Sequence, residues 1–133
     1  MRARVRDARV GRLATVTADG APHMVPVCFA LLDASIVTAV DNKPKRSGSL
    51  KRVANIVANG RASLLVDEYT EDWDRLWWIR VDGLGRVVDD SNTRAAALDE
   101  LMAKYQQYAR RPPPGPVIEL TELRWSAWGD HQA

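Results

Sequence analysis

The chain has 133 residues, 46% hydrophobic and 27% charged, which is one domain's worth of ordinary globular sequence and excludes a two-domain enzyme or an extended disordered tract. Nineteen Lys and Arg against seventeen Asp and Glu give a net charge of +2, which argues against wholesale nucleic-acid binding. The single cysteine, Cys28, forbids an internal disulfide, and two histidines are too few for a zinc-type ligand set.

Taken in order, residues 1–9 read as a short helix with Arg2, Arg6 and Arg9 on one side. A β-rich run over 13–17, a turn at Asp19-Gly20 and a second run over 23–32 spell a hairpin, because Asp-Gly readily supplies the positive φ of tight turns. Pro22 and Pro26 lack N–H donors and make the second run an edge or bulged strand. A third run over 36–40 completes a meander. After the polar connection 41–49, Leu50, Val53, Ala54 and Val57 recur at i, i+3, i+4, i+7 and predict a helix with that stripe on the core. Asn59-Gly60 stops it. Strands are predicted over 62–66 and 76–88, the latter bent at Gly83 and Gly85, with an acidic loop over 67–74 between them. A second helix over 92–108 presents Leu98, Leu101, Met102 and Tyr105. The Arg111-Pro112-Pro113-Pro114-Gly115-Pro116 segment breaks it, and a strand over 117–128 follows.

Six strands and two main helices without βαβ alternation predict a single α+β domain over residues 1–133, built on an antiparallel barrel or curled sheet. The longest apolar run, 24–32, contains Pro26 and falls far short of the ~20 residues of a spanning helix. No apolar stretch follows the basic N-terminus, so a cytoplasmic location is expected.

Charge is unevenly spread. Residues 1–61 hold eleven Lys and Arg against four Asp, a balance of +7, and residues 62–133 hold eight against thirteen acids, a balance of −5. Lys43, Lys45, Arg46, Lys51 and Arg52 cluster before and within the first turns of the first long helix, a place suited to a phosphate because helix N–H groups and point charge act together there. A solvated loop is the plain alternative. Five tryptophans, Trp73, Trp77, Trp78, Trp125 and Trp128, accompany a single phenylalanine. Neighbouring Trp77 and Trp78 on one strand must face opposite ways, so both faces of the sheet need cover, from a helix or a second subunit. His23 is read as a surface strand residue, Cys28 as core, and the acidic set at 67–74 as solvated.

Several short segments in order carry a family resemblance: Gly11-Arg12-Leu13-Ala14-Thr15-Val16; Asp19-Gly20 followed by Pro22-His23 and Pro26-Val27; Lys43-Pro44-Lys45 with Asn55-Ile56; Arg61-Ala62-Ser63-Leu64-Leu65-Val66-Asp67; and Trp78-Ile79-Arg80-Val81-Asp82-Gly83. Together they resemble the pyridoxamine-5′-phosphate-oxidase-like split β-barrel proteins, and within them the actinobacterial coenzyme F420-dependent oxidoreductases. The resemblance implies a six-stranded FMN-binding split barrel and a homodimer with two cofactor sites at the subunit interface. It also implies an oxidoreductase transferring hydride between a deazaflavin, coenzyme F420, and a small electrophilic substrate. It puts the cofactor phosphate near Lys43, Lys45, Arg46, Lys51, Arg52 and Asn55, the ring beside Pro26, Val27, Thr38 and Val40, and Trp78 of the partner subunit over the ring. FMN in place of F420 is the alternative within the enzyme class. A non-catalytic flavin- or tetrapyrrole-binding protein is the alternative outside it, and single-stranded nucleic-acid binding through the N-terminal arginines is a third. No residue stands out as a proton donor.

Overall fold

The computed structural model describes residues 1–41 and 47–130, with the backbone alone for 47–50. Lys43, Lys45 and Arg46 therefore lie outside the described residues. In chain order the elements are α1 (Arg2–Asp7), β1 (Gly11–Val16), β2 (Pro22–Val27), β3 (Ala30–Leu32), β4 (Ser35–Ala39), α2 (Ser47–Ala58) and β5 (Arg61–Glu68). A one-turn 3₁₀ helix (Trp73–Arg75), β6 (Trp77–Val87), α3 (Ser91–Lys104), α4 (Gln106–Arg110) and β7 (Val117–Gly129) follow.

All strand pairs are antiparallel, in the order β2-β1-β5-β6-β7-β4-β3. The two edge strands, β2 and β3, are separated along the chain only by Cys28 and Phe29. A sheet whose first and last strands are joined by two residues must curl back on itself, so the topology by itself forces a barrel. No pairing joins β2 to β3 among the described residues, which leaves the barrel split along that line. Inside it, alternate residues of β1, β5 and β6, including Leu13, Leu64, Val66, Ile79 and Val81, meet Phe29, Ile118 and Leu120 in one apolar cluster. A second cluster, Ala97, Leu101 and Tyr105 against Val37, Ala39 and Val117, fastens α3 to β4 and β7.

Three expectations need correction. The run over 23–32 is two strands, which makes seven among the described residues, and the helix over 92–108 is two helices, broken at Tyr105 (φ −116°, ψ 118°). One side chain accounts for both breaks. The Tyr105 hydroxyl accepts the Phe29 N–H at 3.1 Å and lies 2.9 Å from the Arg9 carbonyl and 3.1 Å from the Phe29 carbonyl, to one of which it donates. Phe29 thus satisfies its backbone on a side chain instead of a strand, and the helix kinks to deliver that side chain. The third correction is the face of α2. Val53 packs against the core as expected, but Val57 is 74% exposed and Ala54 is exposed, whereas Asn55 and Ile56 are buried. Ile56 fits where β6 carries Gly85, whose missing side chain leaves the space: a Cβ there would stand 2.5 Å from Ile56 Cδ1.

Candidate functional site

The region where the basic loop enters α2 is built from the end of β4 upward. Every residue of β4 is buried, and the strand is extended by Val40, whose N–H donates to the Pro116 carbonyl at 2.9 Å and whose carbonyl accepts from Gly115 N–H at 3.1 Å. The proline segment that ends α4 is therefore a second wall. Arg94 of α3 holds that wall by donating to the Gly115 carbonyl at 3.0 Å. Asp41 follows Val40, and the Tyr108 hydroxyl of α4 donates to its Oδ1 at 3.0 Å. Burial, then Asp41 itself, raise the Tyr108 pKa, so the phenol stays protonated.

Arg52 of α2 stands in the field of Asp41 and Tyr108. Burial lowers its pKa from the ordinary guanidinium value, Asp41 opposes that shift, and the group remains charged. Its Nε is shielded from solvent and has no hydrogen-bond partner among the described residues. Buried donors in folded proteins are nearly always paired, so a guanidinium nitrogen on the second turn of α2 that no described residue satisfies is suited to an anion. A phosphate bearing several acceptor oxygens fits that donor and its charge.

The other expected site residues divide. Thr38 is buried, and its hydroxyl donates to the Cys28 carbonyl at 2.6 Å, drawing β4 onto the β2–β3 junction beside Val27. Val27 is buried in the core, and Pro26 is exposed on edge strand β2. Lys51 is exposed. Asn55 is 5% exposed, and its Nδ2 donates to Thr15 Oγ1 at 3.0 Å, tying α2 to β1. Trp78 is not brought to this region: it opposes Asp67 and Trp128 in the sheet, with the Arg80 guanidinium 5.6 Å from its ring centroid. The α2 contact on β6 is at Gly85, seven residues further on, a separation of about 23 Å along a strand.

Two features escaped the sequence reading. Asp41 and Tyr108 are distant in sequence and carry no motif; only the kink at Tyr105 aims the second tyrosine at the loop. Lys104 is the other. Its Nζ is buried without a hydrogen-bond partner among the described residues, 3.9 Å from the Phe29 ring centroid and 5.3 Å from that of Tyr105. Burial, helped by the nearby Arg9 charge, lowers its pKa to about 8.

A family model described as pyridoxamine 5′-phosphate oxidase matches residues 1–129. The chain belongs to the pyridoxamine 5′-phosphate oxidase family. Solved structures agree on the family's split-barrel fold. A heme-binding protein from Mycobacterium smegmatis superposes with a TM-score of 0.73 at 18% identity, over 97% of this chain and 52% of that one. An FAD-binding protein from Mesorhizobium loti gives 0.65 at 25% identity, over 92% and 87%, and an FAD-binding protein from M. smegmatis gives 0.60 at 16%, over 95% and 90%. The chain thus spans about half the length of the heme-binding protein and most of the length of the two FAD-binding ones. A search of curated proteins found no match. Among the described residues no helix is long and apolar enough to cross a membrane.

Proposed function

We propose that this member of the pyridoxamine 5′-phosphate oxidase family is a coenzyme F420-dependent oxidoreductase, acting in the cytoplasm as a homodimer with a cofactor at each end of the subunit interface. The observation that carries the reading is the buried Arg52 Nε, which has no partner among the described residues, on the second turn of the helix near whose start the family resemblance expects a cofactor phosphate. The +7 balance of residues 1–61 suits the longer anionic tail of F420 better than the single phosphate of FMN. When bound, a reduced deazaflavin supplies hydride from carbon 5 of its ring to an electrophilic double bond.

The chain's own residues then bind and orient. Arg52 donates to the phosphate, and the Asp41–Tyr108 pair opposes the loss of Arg52's charge on burial. Val40, pinned on both sides to the proline segment, offers a fixed backbone edge for the ring. Trp78 lies about 23 Å from the α2 contact within one chain, so it serves the site of a second copy, where it covers the ring and excludes water. Arg52→Ala mixed with Trp78→Ala under subunit exchange tests this directly. One site of the mixed dimer then carries both lesions and the other neither, and about one native-affinity site per heterodimer returns.

The cofactor is tested by titrating the purified chain with F420, FMN, FAD and heme, then mixing the reduced F420 complex anaerobically with quinones and enones. Sustained oxidation of F420 above background supports the reading. Tight flavin binding with no F420 response makes the chain an FMN- or FAD-dependent relative. The likeness to a heme-binding protein favours a second reading, a carrier without turnover, which heme or flavin binding without acceptor reduction would support.

A further inference from the structure

A cavity of about 450 Å³ opens on the outer face of the barrel, across β1, β5, β6 and β7. Because Ala62, Leu64 and Val66 of β5 point inward, Arg61 and Ser63 point outward, and β6 places Asp82 opposite Ser63. Arg124 of β7 stands opposite Asp82 on its other side. The side chains of Arg61 and Arg124 have no ion pair or hydrogen bond among the described residues. Asp82 accepts from Ser63 Oγ and from Arg80 Nε at 3.3 Å. These bonds, led by that from Ser63, hold its carboxyl below the usual range and keep it ionised.

The backbone here is unusual as well. Between the pairs Asp82↔Arg124 and Leu84↔Thr121 the register shifts, so Glu122 and Leu123 face Gly83 alone in a β-bulge. Glu122 adopts φ +53°, the left-handed conformation that glycine ordinarily supplies at the first position of such a bulge. A strained backbone carrying a full carboxylate side chain, at the rim of a cavity, points to a use for that carboxylate. Val16, Pro22 and Leu84 complete the cavity with apolar surface.

Two guanidinium groups without an ion pair or hydrogen bond among the described residues, Arg124 standing in the field of Asp82, two carboxylates and an apolar wall match a molecule with both charges and an apolar body. We propose that this cavity binds a zwitterionic amino acid, with its carboxylate on Arg61 and Arg124, its ammonium on Asp82 and Glu122, and its side chain against Val16, Pro22 and Leu84. The site goes beyond the cofactor reading. Arg52 does not line it, so failure here leaves the F420 proposal standing, and failure of F420 binding leaves this site standing.

Calorimetric titration of the full chain with leucine, isopentylamine and 4-methylpentanoate tests it, since the two analogues each lack one charge. Leucine is expected to bind with a Kd below about 1 mM, and each analogue about tenfold or more weaker. Arg61→Gln and Arg124→Gln should each weaken leucine about tenfold without altering isopentylamine. Glu122→Gly separates binding from structure: it relieves the left-handed strain and raises the Tm, and it should also weaken leucine about fivefold or more. No leucine binding, equal binding of all three compounds, or leucine affinity unchanged in the arginine or Glu122 variants would overturn the proposal.

Discussion

Tyr105 and Tyr108 sit one turn apart with their rings packed edge to face, centroids 5.6 Å apart, yet they do opposite work. The Tyr105 hydroxyl is surrounded by backbone groups of Phe29 and Arg9, all supplied by the fold itself. The Tyr108 hydroxyl reaches Asp41, beside an arginine whose Nε has no partner among the described residues. A polar group fully satisfied within the fold is architecture. One that ends a chain of contacts at an open donor is the better candidate for function, because only a ligand completes it.

The largest expected effect breaks the architectural half of that contrast. Tyr105→Phe leaves buried backbone groups of Phe29 without their partner and should lower stability by about 2–3 kcal/mol, read by chemical denaturation, while cofactor affinity below the unfolding transition stays near native. Arg52→Gln should do the reverse. It loses a charge-assisted hydrogen bond of about 1.5–3 kcal/mol, roughly tenfold to a hundredfold in F420 affinity by fluorescence titration, with stability nearly unchanged. If Arg52→Gln lowers stability by about as much as Tyr105→Phe while F420 affinity stays native, the division between the two tyrosines fails.

Lys104 sharpens the comparison, for it is an unpaired buried donor on the architectural side. Its folded pKa of about 8 lies below the ordinary 10.5, so between those values the unfolded chain binds more protons and stability rises with pH. Below pH 8 the charged amine is a cost, partly offset by the Phe29 ring. Lys104→Met should therefore stabilise the protein at pH 7 by about 1 kcal/mol after allowance for solvent screening. The variant should also flatten the rise in stability between pH 8 and 10.5. A variant no more stable than the parent at pH 7 would mean that the aromatic slot already compensates the charge. The smallest effect is expected of Tyr108→Phe. Asp41 loses one hydrogen bond, and F420 affinity should fall by about 1 kcal/mol, roughly fivefold, with little change in Tm.

Most of the strands and the Asp19-Gly20 turn were legible in the sequence, because alternation and turn residues are local signals that survive into the fold. The face of α2 was not. Leu50, Val53, Ala54 and Val57 form a good apolar stripe, but Asn55 is the residue that goes inside, drawn by Thr15 forty positions away. The split of the 23–32 run and the kink in the helix over 92–108 were hidden for the same reason, since both follow from one hydroxyl placed by tertiary packing. Periodicity and punctuation by themselves determined the antiparallel α+β class, and the resemblance carried by the ordered motifs pointed to the family and its split barrel. Only the tertiary structure decided which polar groups are satisfied from within and which, like Arg52 Nε, are left open, because hydrogen-bond saturation is settled between distant segments and has no period in the chain.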